Sequence, residues 1–188
     1  SIVGMGDGAV MQSRERMRAA VGNSGLSWPK GKVVLSLSPA ALPKRGSGFD
    51  VALAIGALTA SNELPAGGFE GTLLVGELAL DGRVRPVRGV LPAVLAARDA
   101  GLRRAIVPAE NLAEARLVGD IDTAGVESLA MLAAWSRGSG DLIAEAPDPA
   151  AACTDDGMAL AEVHGQDDCR RAIEVAAAGG HNLLMMGP

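Results

Sequence analysis

The chain has 188 residues, 48% of them apolar and only 2% aromatic, with 22 acidic and 17 basic side chains for a formal charge of -5. At roughly 100 to 200 residues per domain this length holds one full core and part of a second unit. The acidic balance argues against a general nucleic-acid-coating surface but leaves local patches open. No apolar run approaches the ~20 residues that span a bilayer and the start does not read as a signal peptide, so a soluble, cytoplasmic protein is expected. Cys153 and Cys169 stand far apart without a metal-ligand spacing, and no metal site is expected. With so few aromatic residues the core must be Ala, Val, Leu and Ile, and base stacking is nearly excluded.

SIVGMGD reads as a strand end, and Asp7 is placed to cap a helix in which Val10, Met11, Met17 and Val21 recur at helical spacing while Arg14, Glu15, Arg16 and Arg18 crowd the other side. After the Asn23-Ser24-Gly25 break, KVVLSLS alternates as a half-buried strand does. The loop SPAALPKRGSG leads into FDVALAIGALTASNEL, apolar on most sides and therefore a buried helix. TLLVGELAL and RVRPV flank Asp81-Gly82, a hairpin-turn dipeptide. GVLPAVLAARDAG is a helix with Pro92 in its first turn and Gly101 as C-terminal cap. RRAIVP and DIDTAGV are strands, and ENLAEARLV and ESLAMLAAW are helices. Strands alternating with helices, plus one hairpin, imply an α/β sandwich with a mixed sheet.

From Ser136 the text turns rich in Gly, Pro, Asp and Ala without periodicity, which reads as a linker over 137–156 between a domain at 1–136 and a new unit at 157–188. In that unit Gln166 to Ala178 is helical, with Cys169, Ile173, Val175 and Ala176 toward a core, and Asn182 to Met186 is a buried strand. The strand runs into Gly187-Pro188, as a phosphate-binding loop G-x-x-x-x-G-K-[ST] begins, although a strand ending in Gly-Pro is common. Among the polar residues, Asp50 reads as a helix cap or dipole partner ahead of a catalytic acid. Asp81 is explained by turn geometry. Arg83, Arg85 and Arg88 form a short basic strip that can meet a phosphate backbone, a neighbouring subunit's carboxylate or only solvent. His181 is read as a corner residue.

The phrases GDGAVMQSRERMRAAVGNSG, LSPAALPKRGSGFDVALAIGAL, LVGELALDGRVRPVRGVLPAVLAARDAG, IVPAENLAEARLV and VHGQDDCRRAIEVAAAGGHNLLMMGP resemble the YifB/ComM family, bacterial AAA+ proteins with magnesium-chelatase-like ATPase modules. The resemblance covers nearly the whole chain. It implies a Lon-protease-like, ribosomal-protein-like β-α-β domain ahead of a P-loop AAA+ module, with the first strand preceding residue 1 and the Walker A loop continuing past Pro188. It implies ATP and Mg as cofactors of the longer protein, a homohexameric ring, and DNA branch migration in transformation and recombination as its work. The V-x-G-Q phrase of such modules lies by the adenine, so Val163, Gly165 and Gln166, on either side of His164, are implied nucleotide contacts together with Gly187 and Pro188. Without the Walker lysine, this fragment should bind nucleotide weakly or not at all and should not hydrolyse ATP.

Lon-type catalysis uses a Ser-Lys dyad, in which the lysine takes the serine's proton. The serine position falls here on Gly48 or the adjacent Ser47, and the lysine position falls on Leu91, which accepts no proton. Lys44 precedes Ser47 by three residues in the same loop, and is expected to face solvent, stay protonated and serve poorly as a base. The resemblance therefore implies a non-proteolytic domain. The alternatives are a Lon-like Ser peptidase or polypeptide-handling AAA+ protein, and a magnesium chelatase subunit, against which the Lon-like domain argues.

Overall fold

The computed structural model describes residues 2, 3, 8–39, 41, 43, 44, 46–145, 160 and 163–187, and the chain divides into two units, Ser1–Pro149 and Ala150–Pro188. In chain order the first contains β1 (Ile2–Val3), α1 (Gly8–Asn23), β2 (Leu35–Ser36), α2 (Asp50–Ala60), β3 (Thr72–Leu74), β4 (Glu77–Leu78), β5 (Val84–Arg85), α3 (Val90–Asp99), β6 (Arg104–Pro108), α4 (Leu112–Ala115), β7 (Asp122–Val126) and α5 (Leu129–Ser136). The second contains α6 (Asp167–Gly179).

The central layer is a parallel sheet in the order β3-β6-β7, with Leu73 opposite Ala105 and Ile106 opposite Ala124. Parallel neighbours need crossover connections, and these place α3 and α4 on one face, while α1, α2 and α5 cover the other. Side chains alternate across the sheet. Leu74, Ile106 and Val126 join a core with α1, α2 and α5, while Leu73, Val75, Ala105 and Val107 join a second core with α3 and α4. This explains why RRAIVP reads as a nearly continuous apolar run: Ala105 to Pro108 are all buried. The fold is thus α/β with a small parallel sheet, accompanied by a parallel pair β1-β2 and an antiparallel pair β4-β5.

Several elements differ from their sequence reading. TLLVGELAL is not one strand. At Gly76 the backbone takes φ 155°, its N–H donates to Gly48 O at 3.0 Å and its carbonyl accepts from Val51 N at 3.3 Å. A Cβ there would lie 2.7 Å from Val84 Cγ1, so glycine permits the break that sends β3 into the parallel sheet and β4 to β5. KVVLSLS contracts to Leu35–Ser36, the two residues that pair with β1 among the described residues. ENLAEARLV makes a single turn of α-helix after a 3-10 turn at Ala109–Asn111. The stretch read as the start of a linker returns to the sheet at Ile143, which exchanges hydrogen bonds of 2.8 and 2.9 Å with Gly125, while Leu142 packs on the first core.

In the second unit only Ala176 of the expected core positions is buried; Ile173 is half-buried, and Cys169 and Val175 are exposed. Asn182 to Met186 forms no strand, because a strand exists only through a hydrogen-bonded neighbour and none of the described residues pairs with it. Asp7, Cys153, Pro188 and the side chains of Val10 and Met11 lie outside the described residues. Among the described residues no helix is long and apolar enough to cross a membrane.

Candidate functional site

The glycine-rich turn 46–49, the strand β3 and the turn 86–89 enclose an open cleft of about 910 Å³. Each wall has a local cause. Gly48 is pinned by the Gly76 N–H at the break after β3. The opposite turn is clamped by α4 and the residue before it: Asn111 Oδ1 accepts from Val87 N at 3.0 Å, and its Nδ2 donates to Val87 O at 3.1 Å and to Glu114 Oε2 at 3.3 Å. Helix α3 starts from Gly89 in the left-handed region, φ 81°, without a side-chain cap of its own. Glu114 supplies the missing acceptor by taking the Leu91 N–H at 3.0 Å, satisfying one of the amides that a helix N-terminus leaves open.

Ser47 is half-buried in this cleft and its hydroxyl donates to the Glu77 carboxylate. Leu91 does not line the cleft; it packs on the second core from the first turn of α3. Lys44 is not solvent-facing as expected. It is buried, and its amine donates to Leu37 O at 3.3 Å and to Pro39 O. The loop's own carbonyls capture it, because a buried ammonium needs acceptors. Lys44 therefore organises the loop, and the partner of Ser47 is a carboxylate.

Asp50 is fully buried at the start of α2, yet it caps nothing in its own helix. It accepts from Ser13 Oγ, from Arg16 Nε at 3.0 Å and Nη2 at 3.2 Å, and from Leu78 N at 3.3 Å. The hydrogen bond to Asp50 pushes the Arg16 guanidinium above its ordinary value, against the lowering effect of burial, and the charges of Asp50 and Glu77 add to the rise. Asp50 thus fastens α1 to α2 and β4.

The basic strip is divided. Arg83 and Arg85 project outward on either side of buried Val84 and border a hollow shared with Glu110 and Glu127. Arg83 also pairs with Asp81 at 3.5 Å, and Asp81 Oδ1 accepts the Arg83 N–H at 3.1 Å, which is a turn-forming role. Arg88 instead lines the cleft. In the second unit Val163, His164, Gly165, Gln166 and Gly187 are exposed, with Gly165 at φ 73° and Gln166 at φ 58° leading into α6. No Lys, Ser or Thr occurs between Val163 and Gly187, so these residues by themselves do not make a triphosphate site. His181 closes the other end of α6, donating its N–H to Ala176 O at 2.8 Å. Among the described residues no group of His, Cys, Asp and Glu is arranged to hold a metal.

Glu77, Asn111 and Glu114 were not singled out from the sequence. Glu77 left a faint signal as the one charge within TLLVGELAL; Asn111 and Glu114 looked like ordinary polar positions of a helix.

The family described as "Subunit ChlI of Mg-chelatase" matches residues 1–111, and "Magnesium chelatase, subunit ChlI" matches 159–188. All of the chain aligns at 52% identity with 37% of uncharacterized protein Rv2897c from Mycobacterium tuberculosis. It also aligns throughout at 36% identity with 38% of competence protein ComM from Haemophilus influenzae. Half of the chain, 94 residues, is 32% identical to 16% of Lon protease 2 from Bacillus subtilis. The chain therefore spans little more than a third of its full-length matches. Matched throughout by Rv2897c and ComM and over residues 1–111 by the chelatase-type profile, the chain belongs to the YifB/ComM family of magnesium-chelatase-like proteins and carries a Lon-like region.

Proposed function

We propose that residues 1–136 are a non-proteolytic Lon-like domain, and that 157–188 belong to the ATPase module of a hexameric ring protein that uses ATP and Mg to work on branched DNA. The observation that carries the first part is the surroundings of Ser47. A serine becomes a nucleophile only when an adjacent base removes its proton. Leucine stands at the lysine position, Lys44 donates to backbone carbonyls, and Ser47 donates to Glu77. A carboxylate is a far weaker base than the lysine amine it would replace.

Work on DNA is supported by the relative named a competence protein and by the outward pair Arg83 and Arg85, which can meet phosphates. The test is ATP turnover by the longer protein with and without branched DNA, beside a form lacking residues 1–136. Stimulation by DNA that the deletion abolishes supports the reading; stimulation by unfolded polypeptide and not by DNA refutes it. A chelatase reading has only the family's descriptive name behind it, and metal insertion into a porphyrin by the longer protein would establish it.

A further inference from the structure

The parallel sheet stops at β3, whose inner edge pairs with β6; among the described residues no strand lies along its outer edge. In a ladder, successive residues turn their backbone N–H and C=O to opposite sides. Val75 N–H reaches Ile106 O at 3.2 Å, so Val75 and Leu73 face inward and Thr72 and Leu74 offer their amides and carbonyls outward. That outer edge borders the cleft, between Ala52 of α2 on one side and Ala93 of α3 on the other. The cleft is therefore a slot between the two helix layers at the place where the sheet would continue.

Exposed strand edges are usually blunted by charge, proline or a covering element. Residues 72–75 carry neither charge nor proline. Among the described residues the lining is mostly apolar and includes one arginine, Arg88, which is exposed and has no acidic partner there. Among the described residues a nucleic acid would find a single cation here, Arg88, and the Glu77 carboxylate against it, whereas phosphate binding needs clustered positive charge. An extended backbone with alternating apolar side chains matches both the edge and the walls.

We propose that this slot holds an extended polypeptide segment of a partner protein, added as a strand to β3, with alternate apolar side chains against Ala52 and Ala93 and a carboxylate against Arg88. At about 3.3 Å per residue, the edge from Thr72 to Val75 accommodates roughly four residues of such a segment. Because Ser47 has no effective base, the segment is held and not cut. The inference does not depend on the DNA reading.

The test is fluorescence anisotropy of the 188-residue chain against a pool of labelled hexapeptides in which Val or Leu alternates with Thr, carrying Asp or Lys at either end. Saturable binding is expected for Asp-ended members, weakened at least tenfold by N-methylation of alternate amides and by Ala93→Trp, which fills the slot. Arg88→Glu, at an exposed position that leaves the fold intact, should reverse the preference to Lys-ended peptides. The proposal is overturned if no peptide in the pool binds saturably, or if binding ignores N-methylation and Arg88→Glu. It is equally overturned if a single-stranded oligonucleotide competes for the slot and loses affinity on Arg88→Glu, which would make it a nucleic-acid surface.

Discussion

Replacing Asp50 by alanine should unfasten α1 from α2. The carboxylate is fully buried and takes hydrogen bonds from Ser13, Arg16 and Leu78; its removal deprives the half-buried Arg16 guanidinium of the acceptor that holds α1 to α2. Breaking a buried ion pair by deleting one partner costs about 3–5 kcal/mol. The Arg16 side chain keeps 22% exposure and can turn toward water, which places the loss near the lower end, about 3 kcal/mol. With an m-value on the order of 2 kcal/mol/M, the urea midpoint should fall by about 1.5 M at unchanged slope. Replacing the group with Ser13→Ala, Arg16→Met and Asp50→Leu together should recover at least half of that loss, because no unpaired charge remains. The raised pKa of Arg16 fixes the sign of the pH dependence. Its contribution is fully present below the arginine's ordinary value and declines only as pH rises through the higher folded value, so the Arg16 contribution should be constant across the neutral range. A loss below about 1 kcal/mol for Asp50→Ala, or a triple variant no more stable than the single one, would refute the reasoning.

Gly76→Ala should cost about 3 kcal/mol, through a Cβ 2.7 Å from Val84 Cγ1 and 3.0 Å from Val51 Cγ2 and an unfavourable φ; urea denaturation measures it. Asn111→Ala removes both hydrogen bonds to Val87, with an expected cost of about 1–3 kcal/mol. Amide exchange should accelerate at Val87 while the amides of β6 and β7 keep their protection. A fluorophosphonate probe should leave Ser47 unlabelled, and casein should stay intact, since no base activates the hydroxyl; labelling lost on Ser47→Ala would contradict this. The 188-residue chain should show no ATP turnover above background in a coupled assay, and turnover that follows the protein through purification would contradict the missing phosphate-contacting residues.

Local pattern carried much of the fold. Helices α1, α2, α3 and α5 follow from their apolar spacing, and β6 and β7 from short apolar runs between turn signals. The Asp81-Gly82 hairpin follows from turn chemistry. The readings that changed are those in which one residue's role depends on distant ones. Lys44 looked like a loop lysine until the carbonyls of Leu37 and Pro39 enclosed it. Asp50 looked like a cap until Ser13 and Arg16, 37 and 34 positions away, claimed it.

The sequence by itself therefore determined which segments could be helix or strand, because propensity and period are local properties. Only the tertiary structure decided that Gly76 splits one apolar run between two sheets, that Asn111 and Glu114 hold the turn opposite Ser47, that the arginines part company, and that β3 is left with an open edge. Those outcomes depend on hydrogen-bond partners and packing distances between residues far apart in the chain, and neither periodicity nor composition records them.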